Sequence, residues 1–230
     1  MDNFQIRVME QTGGRKREFT ADRILPDIDL SKLRTRFPEK TQDPQQLLQG
    51  LVHPSASIGV CDISASETAF EVFGTEHASR QEGAVCAAVW TIGEEAEIRA
   101  SALFREGNPL EGLLLDTAAS VLLMRIGISV RNWLMEYSCD DRDWTIVRSC
   151  SPGNNGAPLH LQQMAVLLSE SEKTIGVSAG AGSVLHPMKS QTGFFMLGEG
   201  RGENISGIRC SECRGGKCLI SGMGICGSSR

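Results

Sequence analysis

The chain has 230 residues, of which 40% are hydrophobic, 22% charged and 5% aromatic, and its formal net charge is −5. This is the composition of an ordinary globular protein with one good core or two small ones. The acidic balance and the scarcity of aromatic rings argue against nucleic-acid binding, which favours basic patches and stacking surfaces. The apolar runs, such as Leu113–Leu115 and Val121–Met124, are far shorter than the roughly 20 residues of a membrane span. At the N-terminus, charged residues occupy the positions where a signal peptide needs an apolar segment. We therefore expect a cytoplasmic protein with no nucleic-acid or membrane partner.

The first half of the chain is predicted to contain an N-terminal arm, a helix and three strands. Residues 1–40 are broken by glycine and proline and are expected to be peripheral, with the FQIRVME segment as a short edge strand. Asp43 is a capping residue type and Pro44 suits the first helical position, which predicts a helix to about Val52. Segments rich in Val, Ile and Phe, flanked by Gly, Ser and Asp, predict the strands. These are Ser57–Ile63, Ala69–Phe73 and Ala84–Ile92.

The second half is predicted to be helical before it returns to strands. Gly93 precedes a helical stretch with acidic residues in its first turn and a glycine at its end. A longer helix from Leu110 to about Tyr137 is apolar nearly all round, which is typical of a helix buried on most sides. Turn formers over Arg148–Pro158 predict a loop, and a helix over Leu159–Leu168 follows. The stretch from Thr174 to Gly200 is predicted as strand, glycine-rich turn, short extended stretch and strand.

These elements predict an α+β fold, in which long helices cover a twisted mixed or antiparallel sheet, rather than regular β-α-β alternation. We predict an N-terminal arm over residues 1–40, a core over residues 41–205 and a cysteine-rich tail over residues 206–230. The segment Ala84–Phe195 is expected to form the centre of the core.

The tail contains four of the eight cysteines in the spacing C-x2-C-x4-C-x7-C. A C-x2-C turn points two sulfurs at one place, and two later cysteines could complete a cage of four thiolates. Such a cage suits zinc or an iron–sulfur cluster. The alternatives are a tail of free thiols, or two disulfides in a secreted protein; in a reducing compartment, clustered cysteines more often bind metal. The predicted metal ligands are Cys210, Cys213, Cys218 and Cys226.

The other four cysteines are Cys61, Cys86, Cys139 and Cys150. We expect them to be small buried hydrophobic residues, although Cys150 could instead join the metal of the tail. The sequence contains no G-x-S-x-G, P-loop or H-E-x-x-H motif, so no catalytic residue is assigned.

A second group of motifs consists of the loop SPG, at Ser151–Gly153, and the stretch HPMKSQTGFF, at His186–Phe195. Their order and spacing, over roughly residues 85–226, resemble the activation domain of cobalamin-dependent methionine synthase, and more closely the short free-standing proteins related to it. In that family a loop R-x-x-P-G-Y precedes a helix, and a stretch M-x-P-x-x-S-x-S-G followed by aromatic residues comes later. Some of the free-standing relatives also end in a cysteine-rich tail.

The resemblance implies S-adenosylmethionine binding beside a cobalamin-carrying domain, so that an oxidised cobalt can be reduced and remethylated. Asn154 stands where the family has tyrosine, and Arg148 lies five residues before Gly153 rather than four. Asp116 is a carboxylate in an apolar helix, so it needs a partner, either the ligand or a neighbouring element. The implied ligand-binding residues are Arg148, Ser151, Pro152, Gly153, Asn154, Pro187, Ser190, Gly193 and Asp116.

The leading hypothesis is therefore a corrinoid-linked protein that supports reductive remethylation of cobalamin, as part of a methyltransferase system in methionine biosynthesis. Its cofactors would be an iron–sulfur cluster or zinc in the tail and S-adenosylmethionine, with cobalamin on the partner. The partner would be a corrinoid protein, or a methionine synthase lacking its own activation domain. The alternative is a non-catalytic binding or adaptor protein whose tail binds zinc or a cluster for structure alone.

The shared metal centre is testable by removing one thiolate. Cys213→Ser should lose most of the bound metal, because one missing ligand opens a cage of four. Metal analysis after anaerobic purification measures this, and a brown colour distinguishes a cluster from colourless zinc. A variant that keeps all of its metal would contradict the assignment.

Overall fold

A mixed sheet of six strands lies at the centre of this computed structural model, which describes residues 3–26, 44–63, 71–74, 83–154 and 157–200. Its strands are β1 (Asn3–Thr12), β2 (Arg15–Ile24), β3 (Ser55–Asp62), β4 (Ala84–Thr91), β5 (Thr145–Cys150) and, last along the chain, β8 (Ser190–Gly198). Across the sheet the order is β2-β1-β3-β4-β8-β5. The pair β1–β3 is parallel and the other neighbours are antiparallel. Two short strands, β6 (Ser178–Ala179) and β7 (Leu185–His186), pair separately.

Helices cover both faces of the sheet. On one face lie α1 (Pro44–Leu48), α2 (Glu95–Arg105) and α3 (Pro109–Arg142), which contribute to one hydrophobic cluster with the sheet. On the other face lie α4 (Leu161–Ser169) and α5 (Ser171–Ile175), together with the β6–β7 pair. The architecture is thus a three-layer sandwich with the sheet in the middle.

Strand β4 is buried at every position, and its alternate side chains belong to two separate cores. A strand covered on both faces needs apolar residues throughout, and this strand has them apart from its last residue. Small residues on the α3 side let that helix approach the sheet closely. The α3 side takes Ala84, Cys86, Ala88 and Trp90, and the α4 side takes Val85, Ala87 and Val89.

Trp90 fixes α3 on the sheet. Its indole Nε1 donates a hydrogen bond of 3.1 Å to the carbonyl oxygen of Leu123, so the one polar atom of a buried ring is satisfied. The ring lies against Gly127, where an added Cβ would be 2.7 Å from Cζ2 of the indole. The absence of a side chain at residue 127 is therefore what allows the helix to lie on the ring.

The segment Pro109–Cys139 of α3 has the length and the apolar composition of a membrane-spanning helix. Its apolar residues are nevertheless interrupted by polar and charged ones. In the most apolar window, 56% of the residues are buried inside the protein. Ala118, Leu122 and Ile126 belong to the core. This burial within the protein is typical of a core helix, and α3 is the core helix of one layer of the sandwich.

The end of α4 is anchored on β3 through small residues. An added Cβ at Gly59 would lie 1.9 Å from the carbonyl oxygen of Leu168, so the helix backbone touches the strand directly. Beside it, the buried Ser57 hydroxyl donates a hydrogen bond of 2.6 Å to the carbonyl oxygen of Ser169. Thr174 of α5 donates to the same Ser57 hydroxyl at 2.9 Å. The Ser169 carbonyl group, at the helix end where partners within the helix run out, thus finds its partner on the sheet.

The predicted α+β class, with a long helix on a mixed sheet, is confirmed. The strands predicted over Ser57–Ile63 and Ala84–Ile92 correspond to β3 and β4. The helices predicted after Gly93, from Leu110 and from Leu159 correspond to α2, α3 and α4. The predicted order of strand, glycine-rich turn, extended stretch and strand matches β6, the turn at Ala181–Ser183, β7 and β8.

Four local predictions are wrong. The FQIRVME segment is not an edge strand, because β2 pairs outside β1 and takes the edge. Residues 71–73, predicted as the end of a strand, are helical, while residues 64–70 lie outside the described part. Helix α1 ends at Leu48 rather than at Val52, because Gly50 follows with a φ of +72°. The loop predicted from Arg148 begins later, because that residue belongs to β5.

Gly59→Ala should lower the free energy of unfolding by about 3 kcal/mol, at the upper end of overpacking effects, because the opposing atom is backbone. Urea denaturation measures the loss.

Gly112→Ala in α3 is the matched control. An added Cβ there would be 3.1 Å from both the Ala100 carbonyl oxygen and the ring of Phe104, against 1.9 Å at Gly59. The half-exposed Phe104 can move aside and the carbonyl contact needs a shift of only a few tenths of an ångström, while alanine gains about 1 kcal/mol of helix propensity. Its stability should stay close to that of the unmodified chain. Equal stability of the two variants would contradict the anchoring of α4 on β3.

Candidate ligand site

The loop at Ser151–Asn154 begins where β5 stops pairing with β8. The last register pair is Cys150 with Phe194, so Ser151 and Gly193 are the next residues on the two strands. The loop is a tight turn, in which the backbone N–H of Asn154 donates a hydrogen bond of 3.0 Å to the backbone carbonyl oxygen of Ser151. Gly153 has a φ of +81°, which favours glycine and leaves bare backbone at the turn. The register of β5 and β8 thus places the start of the loop beside Gly193.

Gly193 and Ser190 have structural roles within β8. An added Cβ at Gly193 would be 3.2 Å from the ring of Phe195 and 3.5 Å from that of Trp90. The buried Ser190 hydroxyl donates a hydrogen bond of 2.9 Å to Oγ1 of Thr91 on β4. That Thr91 hydroxyl donates in turn to the carbonyl oxygen of Lys189 at 3.1 Å. Ser190 is therefore occupied within the protein.

Asp116 finds its partner in Lys189. The carboxylate Oδ1 lies 2.7 Å from Nζ of Lys189, which also donates to the Ser120 hydroxyl at 2.9 Å. The lysine side chain is 15% exposed and the aspartate 44%. This cluster connects the segment before β8 to α3, so Asp116 has a structural role in the fold. A ligand cation at Asp116 would compete with the ammonium that is already there.

Arg148 lies apart from Asp116. It is exposed on β5, in register with Met196, whose side chain is in the core on the α4 side. Asp116 is on α3, which covers the opposite face. The structure does not bring these two candidate charged groups together.

Pro187 lines a different feature, an open cleft with a volume of about 530 Å³ between the start of β3, the β4–α2 connection and the segment around β7. Among the described residues, no member of the loop Ser151–Asn154 lines it. Its walls carry both acidic and imidazole side chains. These are Glu94, Glu95, Glu97, His53 and His186.

Burial makes two of the described cysteines, Cys86 and Cys150, poor metal ligands. Cys86 is completely buried, and its pKa is raised well above the ordinary value, first by burial and then by the nearby Cys61 and Glu10. Burial also raises the pKa of Cys150. Both shifts disfavour the thiolate that a metal needs. Cys139 is exposed rather than buried, which corrects the expectation for that residue.

Within the described residues, no group of three or more His, Cys, Asp or Glu side chains is arranged to bind a metal ion. The four predicted metal ligands, Cys210, Cys213, Cys218 and Cys226, lie outside those residues.

Two threonines were not singled out by sequence. Thr91 organises the hydrogen bonds between β4 and the start of β8. Thr192, on β8, is buried, yet its hydroxyl has no hydrogen-bond partner among the described protein atoms. The sequence of a strand does not distinguish such residues, because threonine, like valine, is enriched in strands for its branched shape.

No family model matches the chain, and no curated protein matches it. Among solved structures, the chain is similar to the MetH reactivation domain bound to AdoHcy, with a TM-score of 0.53 and 13% sequence identity. The match covers 74% of this chain and 66% of that one. The fold is that of the MetH reactivation domain. The resemblance of the motifs and the similarity of the fold therefore agree, although only 13% of the residues are identical.

Asp116→Asn should destabilise the chain by about 1–2 kcal/mol, because it removes the counter-charge of a largely buried ammonium. The partial exposure of the carboxylate keeps the loss below that of a fully buried pair.

Glu170→Gln is the matched control, since its partner Lys173 is 80% exposed and 3.4 Å away. It should leave the urea midpoint unchanged. Equal midpoints for Asp116→Asn and the unmodified chain would show that the Lys189 cluster does not stabilise the fold.

Proposed function

We propose that this chain binds S-adenosylmethionine at the loop Ser151–Asn154 and supports reductive remethylation of cobalamin on a partner protein in the cytoplasm. The observation that carries the proposal is the fold shared with the MetH reactivation domain, whose solved structure contains AdoHcy. AdoHcy is what S-adenosylmethionine becomes when its methyl group is transferred. The partner would be a corrinoid protein, or a methionine synthase without its own activation domain.

The residues near the loop are compatible with such a ligand. Gly153 presents backbone without a Cβ, so a ligand can approach the main chain closely. Ser151 and Asn154 are exposed polar side chains beside it. Arg148, exposed on β5, offers a guanidinium that suits a carboxylate. Asn154 provides no aromatic wall, so we expect at best a micromolar dissociation constant, about −8 kcal/mol.

We further propose that Cys210, Cys213, Cys218 and Cys226 bind an iron–sulfur cluster, with zinc in a structural role as the alternative. The support is their spacing, and the cytoplasm that we propose for this chain is a reducing compartment in which thiols stay free to bind metal. A cluster would supply the electron that reduces cob(II)alamin, and the sulfonium methyl group would then pass to the reduced cobalt and leave AdoHcy. That chemistry belongs to the cofactors, and the protein contributes binding and orientation.

Gly153→Ala tests the loop as the binding site. Alanine is strained at a φ of +81°, and its Cβ would be 3.2 Å from Cδ1 of Leu159, so the turn must shift. We expect calorimetry on the metal-loaded full chain to show AdoHcy binding weakened about tenfold, or 1.4 kcal/mol.

Gly182→Ala is the control, because its φ is +69° and nothing lies within 4 Å of its added Cβ. It imposes the same kind of strain outside the loop and should leave AdoHcy binding intact. No heat with S-adenosylmethionine or AdoHcy at high micromolar protein would contradict the ligand proposal and favour the adaptor function.

A further inference from the structure

Thr192 carries a buried hydroxyl that makes no hydrogen bond within the described part of the chain. The residue is 6% exposed, and its Oγ1 has no hydrogen-bond partner among the described residues. A buried hydroxyl without a partner destabilises a fold, and its persistence needs an explanation. Thr91 on the neighbouring strand shows the contrast, because its hydroxyl contacts Lys189, Ser190 and Gly93.

Its surroundings favour valine over threonine. Thr192 is in register with Val89 on β4, and Phe194 and Met196 follow at alternate positions of β8 in the core on the α4 side. Valine has the same shape and would add apolar contact without an unsatisfied atom. Packing therefore does not account for the hydroxyl.

The position of Thr192 connects it to the ligand loop. If β5 continued past the Cys150–Phe194 pair, Pro152 would come opposite Thr192. The chain leaves β5 at this level and runs to α4, which lies on the same face as the side chain of Phe194. Pro152 is buried there. The hydroxyl thus lies at the level of the sheet where the loop Ser151–Asn154 turns.

We propose that the Thr192 hydroxyl is a hydrogen-bonding contact for the nucleoside ligand at this loop and helps to determine its specificity. The inference rests on the proposed function, whose ligand it takes. The hydroxyl is covered in the free chain, so a rotation of the Thr192 side chain between staggered positions would accompany ligand contact. A polar atom of the ligand would then satisfy a group that the free protein leaves unpaired.

Thr192→Val tests this with two readouts on the full chain. In the free protein the substitution removes an unpaired hydroxyl, so Tm should rise by about 2–4 °C, as for a small gain in stability at this chain length. Calorimetry with AdoHcy should show binding weakened about five- to tenfold, the loss of one hydrogen bond. Thr192→Ser keeps the hydroxyl and should retain the affinity of the unmodified chain.

Thr91→Val is the matched control on the adjacent strand. Its hydroxyl has partners inside the protein, so Tm should fall while AdoHcy affinity is retained. A fall in Tm for Thr192→Val with unchanged AdoHcy affinity would mean that the hydroxyl binds an internal water, and would overturn the inference while the proposed function stands. If the unmodified chain binds no AdoHcy, the proposed function and the ligand role of Thr192 are overturned together.

Discussion

The burial of β4 on both faces is the constraint on which the structure depends. Every residue of this strand is covered, and neighbouring side chains enter different cores. The two helical layers therefore share one support, and a change in the size of a β4 side chain is felt by one layer directly and by the other through the backbone. Toward α3 the strand presents three small side chains and Trp90, and toward α4 it presents two valines and an alanine; these sizes set the distance at which each layer lies.

This burial also limits where a ligand could bind. The central strands have no free face, so open surface remains at the rim of the sheet, where strands end and loops begin. The loop Ser151–Asn154 is at such a rim, beside the outer strand β5, and the cleft that contains Pro187 is at another. The polar groups of β8, at Ser190 and Thr192, are close to these ends, whereas residues 194–197 are apolar core.

Features with a local pattern could be predicted from the sequence, and those that depend on distant partners could not. The apolar surface of α3 and the composition of β4 are local, and both elements were found. β5 was missed because its half-polar residues run directly into turn formers. β1 was placed at the edge because its outer neighbour, β2, is too polar to be recognised as a strand. The strand register brings Gly193 next to Ser151, whereas Pro187 lines a different cleft, and nothing local indicates that Lys189 would pair with Asp116.

The polar character of β2 has a consequence for how copies of this protein meet. An edge strand exposes unpaired amide and carbonyl groups, which can pair with the same edge of another molecule. Here the edge begins with Arg15, Lys16 and Arg17, all exposed, and Arg17 lies over the ring of Phe19 at 4.7 Å. A second strand pairing along this edge would have to order and partly desolvate these charged side chains. The charges therefore work against pairing of one edge with another, as they do on the edge strands of natural sheets.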